Sequence, residues 1–152
     1  MTNQDTIKQL ASDLLAKMGV NGEVEVVPEG DGYKVQIESA TESSLLIGRH
    51  GAGLRAIQAI IDAAAFKALG KKVEIIVDIG DYRQKQQERL QEIAREAAER
   101  VMSENQPARL HSFSGYERKI IHEYISENFP KLTSVSEGEE ERVLIISKKN
   151  NN

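Results

Sequence analysis

The apolar residues of this chain change period repeatedly, and that alternation limits the folds open to it. Ile7, Leu10, Ala11, Leu14, Leu15 and Met18 recur at helical spacing until Gly19 and Asn21-Gly22 stop the run. Glu23 to Val27 reads as a strand and Pro28-Glu29-Gly30-Asp31-Gly32 as a turn. Tyr33, Val35 and Ile37 then alternate with Lys34, Gln36 and Glu38, a half-buried strand that completes a hairpin. A short segment, Ser43 to Ile47, runs into Gly48-Arg49-His50-Gly51. Ala52 to Leu69 is a long helix with Leu54, Ile57, Ile61, Ala64 and Ala65 inward and Gly70 as its stop. Val73, Ile75 and Val77 alternate as a strand.

The second half repeats this switching without repeating the sequence. Asp81 can cap a charged helix whose stripe is Leu90, Ile93, Ala94, Ala97, Ala98 and Val101, ended by Asn105-Gln106-Pro107. A short strand at Arg109 to Ser112, a helix from Tyr116 to Asn128, and two strands, Leu132 to Ser136 and Arg142 to Ser147, follow. The expected order is α-β-β-α-α-β and then α-β-α-β-β, an α+β chain. A length of 152 residues fits two small domains, 1–80 and 81–149, with a polar tail at 150–152. A single α+β domain is the alternative that pattern alone leaves open.

Composition narrows the chemistry. The absence of cysteine excludes disulfides, iron–sulfur clusters and thiol catalysis. Three His without Cys make a structural zinc site an unfavourable reading, and no metal or cofactor is expected. The start has no basic stretch leading to an apolar run, and Ala56 to Ala65 contains Gln58 and Asp62, so a cytoplasmic protein without membrane insertion is expected. The net charge of −4 argues against a surface coated with positive charge. The charge is unevenly placed, however: residues 48–72 carry five Lys or Arg against one Asp, and residues 105–135 carry four against three Glu.

The first of these segments holds the glycine loop. Glycines let backbone approach a sugar–phosphate chain without a Cβ in the way, and the amides at the following helix start favour phosphate. Arg49 adds fixed positive charge and Arg55 lies one turn on. A tight helix–helix turn without a ligand explains the spacing equally well. The setting of Leu46-Ile47-Gly48-Arg49-His50-Gly51, after α-β-β and before helix-strand, resembles a KH domain of the bacterial, type II topology. The resemblance implies that Gly48, Arg49, His50 and Gly51 clamp the backbone of a single strand. It also implies that Ile47 and Leu54 line an apolar groove for the bases, with Ile75 and Val77 contributing from the neighbouring strand. His50 stands where Lys or Arg is more usual.

The second segment holds Tyr116-Glu117-Arg118-Lys119-Ile120-Ile121-His122. Arg118 and His122 are four apart and share a helix face. Arg118 can grip a phosphate through two hydrogen bonds, and His122 can hydrogen-bond a phosphate or stack on a base. A surface Arg beside a core-edge His is the plainer reading of the pair. With Ser136-Glu137-Gly138-Glu139 and Arg142-Val143 downstream, the segment resembles the R-three-H domain, associated with single-stranded nucleic acid. Tyr116, Arg118, Lys119 and His122 are the residues the resemblance assigns to RNA.

A KH module followed by this one is the layout of the Jag (SpoIIIJ-associated) family, and the likeness runs from about Val24 to Ile146. It implies single-stranded RNA, or single-stranded DNA, as ligand, a small KH-domain partner of the KhpA kind, and roles in post-transcriptional control, cell elongation and cell shape. Roles tied to the extra N-terminal domain of many relatives are not expected of this chain. No phosphate-binding G-x-x-x-x-G-K-[S/T] motif occurs, Gly48, Gly51 and Gly53 are in the wrong order for a dinucleotide fold, and no nucleophile accompanies His111 and His122. The acidic run Glu137, Glu139, Glu140 and Glu141 reads as a solvated turn. A binding protein is therefore expected, either an RNA-binding regulator or an adaptor whose KH surface pairs with another protein.

Overall fold

Thr2 and Asp5 exchange side-chain and backbone hydrogen bonds in a capping box, and this starts α1 (Asn3–Lys17). Its buried face is Ile7, Ala11 and Leu15. The computed structural model describes residues 1–150 and divides the chain into two compact units, Met1–Arg83 and the portion from Gln84 onward.

In the first unit α1 is followed by β1 (Glu23–Glu29), β2 (Gly32–Glu38), α2 (Ser43–Ile47), a 3₁₀ turn at Arg49–Gly51, α3 (Ala52–Leu69) and β3 (Ile75–Ile79). The sheet order is β1-β2-β3, with β1 antiparallel and β3 parallel to β2. The register places Val26 opposite Val35, and Val35 opposite Val77, in one apolar layer under α1 and α3. Ile37, Ile61 and Ile79 are fully buried there. Each such side chain contributes about 1.5–3 kcal/mol by leaving water.

The strand β1 runs two residues further than its sequence suggests, through Pro28 and Glu29, so the turn is Gly30-Asp31 alone. Proline is tolerated because Pro28 alternates with the residues that face β2; its nitrogen lies on the open edge of the sheet. Gly30 supplies the positive φ of +57° that a two-residue hairpin needs. β3 begins at Ile75 rather than Val73.

The second unit contains α4 (Tyr82–Glu104) beyond its first two residues, β4 (Ala108–Leu110), α5 (Gly115–Asn128), β5 (Leu132–Glu137) and β6 (Val143–Lys148). The sheet is antiparallel in the order β4-β6-β5. Its core joins Leu90, Ala94, Ala98 and Val101 of α4 to Ile121 and Ile125 of α5 and to Leu132, Leu144 and Ile146 of the strands. Ile93, read as part of that stripe, is half-buried. β4 stops at Leu110 because Ser112 adopts a left-handed conformation at φ +65°. Among the described residues no helix is long and apolar enough to cross a membrane. Both units mix helix and strand as an α+β fold.

Candidate functional site

Three of the four residues of the glycine loop have positive φ. Gly48 has φ +71°, His50 φ +55° and Gly51 φ +77°, and only the two glycines adopt this without strain. The sequence thus turns sharply from α2 into α3. No side chain caps the first turn of α3, whereas α1 and α5 both carry capping boxes. Ala52 N–H donates to the Arg49 carbonyl and Gly51 is buried, so what this start offers an anion is the positive end of the dipole of an 18-residue helix. Arg49 and His50 are exposed beside it.

Other residues hold this loop in place. Arg55 Nη1 donates to the His50 carbonyl at 2.7 Å, which makes Arg55 a brace. A Cβ on Gly51 would lie 3.0 Å from the Tyr82 hydroxyl, so this ring packs over the loop. A Cβ on Gly53 would lie 2.0 Å from the Leu46 carbonyl oxygen. Gly53 therefore lets α3 start against the end of α2, a role the G-x-x-G spacing does not signal.

The apolar groove differs from the sequence expectation. Leu54 is 3 % exposed, and Ile75 and Val77 are also core, so none of these three offers surface to a base. Their helical and strand periods face them inward, where α3 meets the sheet. Ile47 is half-buried against the same core. The apolar surface beside the loop is instead Leu45 on α2, 75 % exposed.

In the second unit a concavity of about 370 Å³ is lined by Gly115, Arg118, Lys119 and His122 of α5 and by Ser134, Ser136, Arg142 and Leu144 from the strands and the loop between them. Three cationic side chains and a histidine line it, and no carboxylate among the described residues does. His122 Nδ1 hydrogen-bonds the hydroxyl of buried Ser134, which fixes the ring's direction. Arg118 Nη1 donates to the Phe113 carbonyl at 3.1 Å, and Arg142 Nη2 to the Ser136 carbonyl at 2.9 Å. Both guanidinium groups are thus steadied and keep further donors. Tyr116 is exposed and lies outside this lining, because residues 115, 118, 119 and 122 share one face of α5 and 116 falls off it.

Sequence reading does not single out Arg142, Ser134 and Ser136 as site residues. The signal for the serines is their spacing of two from Leu132 in β5, which puts all three on one face of the sheet. Glu117 is missed as well. It is 3 % exposed; its Oε1 accepts from the Ser114 N–H at 2.9 Å, and its own N–H donates to Ser114 Oγ at 3.1 Å. Oε2 accepts from Gln86 Nε2 at 2.9 Å and Arg89 Nη2 at 3.2 Å. This carboxylate orients the first turn of α5, from which Arg118 projects. Replacing Glu117 by Ala is expected to cost about 2–3 kcal/mol, through the lost cap and stranded buried donors. Urea unfolding measures it, and a loss below about 0.5 kcal/mol would contradict the assignment.

Both candidate sites lie in segments that match known families. Residues 4–78 match the sequence model of the KhpA/KhpB KH domain, and residues 88–148 that of the R-three-H domain. RNA-binding protein KhpB of Streptococcus pneumoniae is 30 % identical over 152 residues, covering 95 % of this chain and 45 % of that protein. KhpB of Lactiplantibacillus plantarum is 26 % identical over 147 residues, with the same coverage. KhpB of Bacillus subtilis is 33 % identical over 111 residues, 71 % of this chain and 53 % of that protein. The chain spans about half the length of the curated relatives it matches. With a KH domain followed by an R-three-H domain, each carrying its motif in a basic setting, the chain belongs to the KhpB, or Jag, family.

Proposed function

We propose that this chain binds single-stranded RNA, the KH loop gripping the sugar–phosphate backbone and the R-three-H groove holding a second stretch. The observation that carries the reading is the uncapped start of α3 with Arg49 and His50 exposed beside it. The basic groove lined by Arg118, Lys119, His122 and Arg142 supports it independently. So does the name of the relatives, RNA-binding protein KhpB. Single-stranded DNA presents the same phosphates and is the related ligand. The family likeness supports a bacterial post-transcriptional regulator acting in the cytoplasm, with links to cell elongation and cell shape.

Contacts with three to five phosphates would give a log–log salt slope of about −2 to −4 for a single strand. Fluorescence anisotropy of a labelled RNA between low and moderate salt measures the slope. A slope near zero would sink the reading.

A second reading has its own observation. The outer face of α3 is apolar: Ile60 is 50 % and Phe66 58 % exposed, with Ala56, Ala59 and Ala63 around them. Such a face on an otherwise amphipathic helix suits protein contact. A small KH protein of the KhpA kind is the partner it supports, alongside RNA binding.

A further inference from the structure

β3 is an end strand of its sheet, yet its free edge is occupied. Tyr33 N–H donates to the Glu74 carbonyl and Gly80 N–H to the Ile37 carbonyl, so the backbone N–H and carbonyl groups of even-numbered residues in this stretch point to β2 and those of odd-numbered residues to the free edge. Val77 N–H donates to Gln58 Oε1 at 2.7 Å, and Gln58 Nε2 donates to the Ile75 carbonyl at 2.7 Å. Arg83 Nε and Nη2 both donate to the Val77 carbonyl, at 2.8 and 2.7 Å. Ile79 N–H donates to Asp78 Oδ1 at 2.9 Å. From the Ile75 carbonyl to the Ile79 amide, every outward group has a side-chain partner.

A bare strand edge pairs with any planar group that carries a donor beside an acceptor. An extended peptide is one such group. A nucleobase edge is another, since carboxamides pair with bases in this bidentate way. Here the carboxamide of Gln58 fills that place. It is also latched, because Nε2 donates to Asp62 Oδ1 at 3.0 Å. Asp62 is the single acidic residue of the basic segment 48–72, and its carboxylate is turned to Gln58. Gln58 sits roughly 9 Å along α3 from its start, within reach of the next nucleotides of a strand held at the loop.

We infer that Gln58 is a specificity-determining residue of the KH unit: it closes the β3 edge to nucleobases, so a strand gripped at the loop is held by its backbone with little reading of sequence. This rests on the single-strand reading proposed above.

The test uses the full chain, Gln58→Ala, and Gln58→Leu, which keeps most of the bulk but can neither accept from Val77 N–H nor donate to the Ile75 carbonyl. Amide exchange followed by NMR should show Val77 N–H at least tenfold slower in the parent than in either variant. Eight-nucleotide oligomers of A, C and U should bind the parent with Kd values within about threefold of one another. In the variants that spread should widen to tenfold or more, as the freed edge pairs with bases whose donors and acceptors differ. A tenfold spread already present in the parent would overturn the inference. So would equal Val77 exchange in parent and variants, an unchanged spread in variants whose Val77 exchange has risen, or displacement of the Gln58 amide from Val77 when RNA is added. Failure of the parent to bind any oligomer would instead overturn the single-strand reading itself, and this inference with it.

Discussion

Replacing both Arg49 and His50 by Asp is expected to weaken single-stranded RNA binding by a hundredfold or more. Both side chains are exposed at the loop, so the exchange should leave the core intact. Arg49→Asp changes the local charge by two units and His50→Asp by one. At about 1 kcal/mol per unit pair at close range in water, the loss is about 3 kcal/mol, which is over a hundredfold in Kd. The negative pair would also stand at the positive end of the α3 dipole and compete there with phosphate. Anisotropy at fixed salt reads the loss, and an unchanged Kd would remove the loop from the interface. A parallel pull-down with a small KH protein separates the two proposed roles. Retained capture by a variant that has lost RNA would assign the partner to another surface, with the α3 face the one available.

Gly53→Ala is expected to destabilise the first unit by about 3 kcal/mol, against the ordinary trend. Alanine near a helix start is usually better than glycine by up to about 1 kcal/mol. Here its Cβ would meet the Leu46 carbonyl at 2.0 Å and the Ile47 carbonyl at 3.0 Å, both backbone atoms. Relief requires moving α2 away from α3, and overpacking of this kind costs about 1–3 kcal/mol or somewhat more. Gly70→Ala is the comparison. Gly70 has φ +70° with open space around it, so only conformational strain applies, about 1 kcal/mol. Thermal or urea unfolding of the two variants decides the matter. Equal losses would mean that the close approach at Gly53 relaxes without consequence. RNA binding should fall with Gly53→Ala and persist with Gly70→Ala, because only the former displaces the clamp.

The extent of α3 was legible because a sustained apolar period ends on a glycine, and such a pattern is local. The basic loop and the Arg118–His122 pair were legible for the same reason: each lies within one or two turns of chain. Contacts that close over long separations were not. Gln58 in sequence is one polar residue on a helix, and nothing nearby announces that it meets Ile75 and Val77. Glu117 was visible only as the fourth residue of Ser114-Gly115-Tyr116-Glu117; that Gln86 and Arg89 also converge on it is tertiary. Leu54 shows the limit of periodicity. A helical stripe marks an inward residue, but whether inward means a sealed core or an open groove depends on what packs above it. Arg142 required the pairing of β5 with β6 to come beside α5.

Pro28 gives the sheet of the first unit a property on its other side. It stands on the outward side of β1 without an N–H, and Gln4 Nε2 reaches the nearby Val26 carbonyl. At the far edge Gln58 and Arg83 engage the backbone of β3. A sheet blunted at both ends is a poor seed for ladder growth. Crowding should therefore drive copies of this unit together through side-chain surfaces that separate again on dilution, rather than through cross-strand stacking that does not.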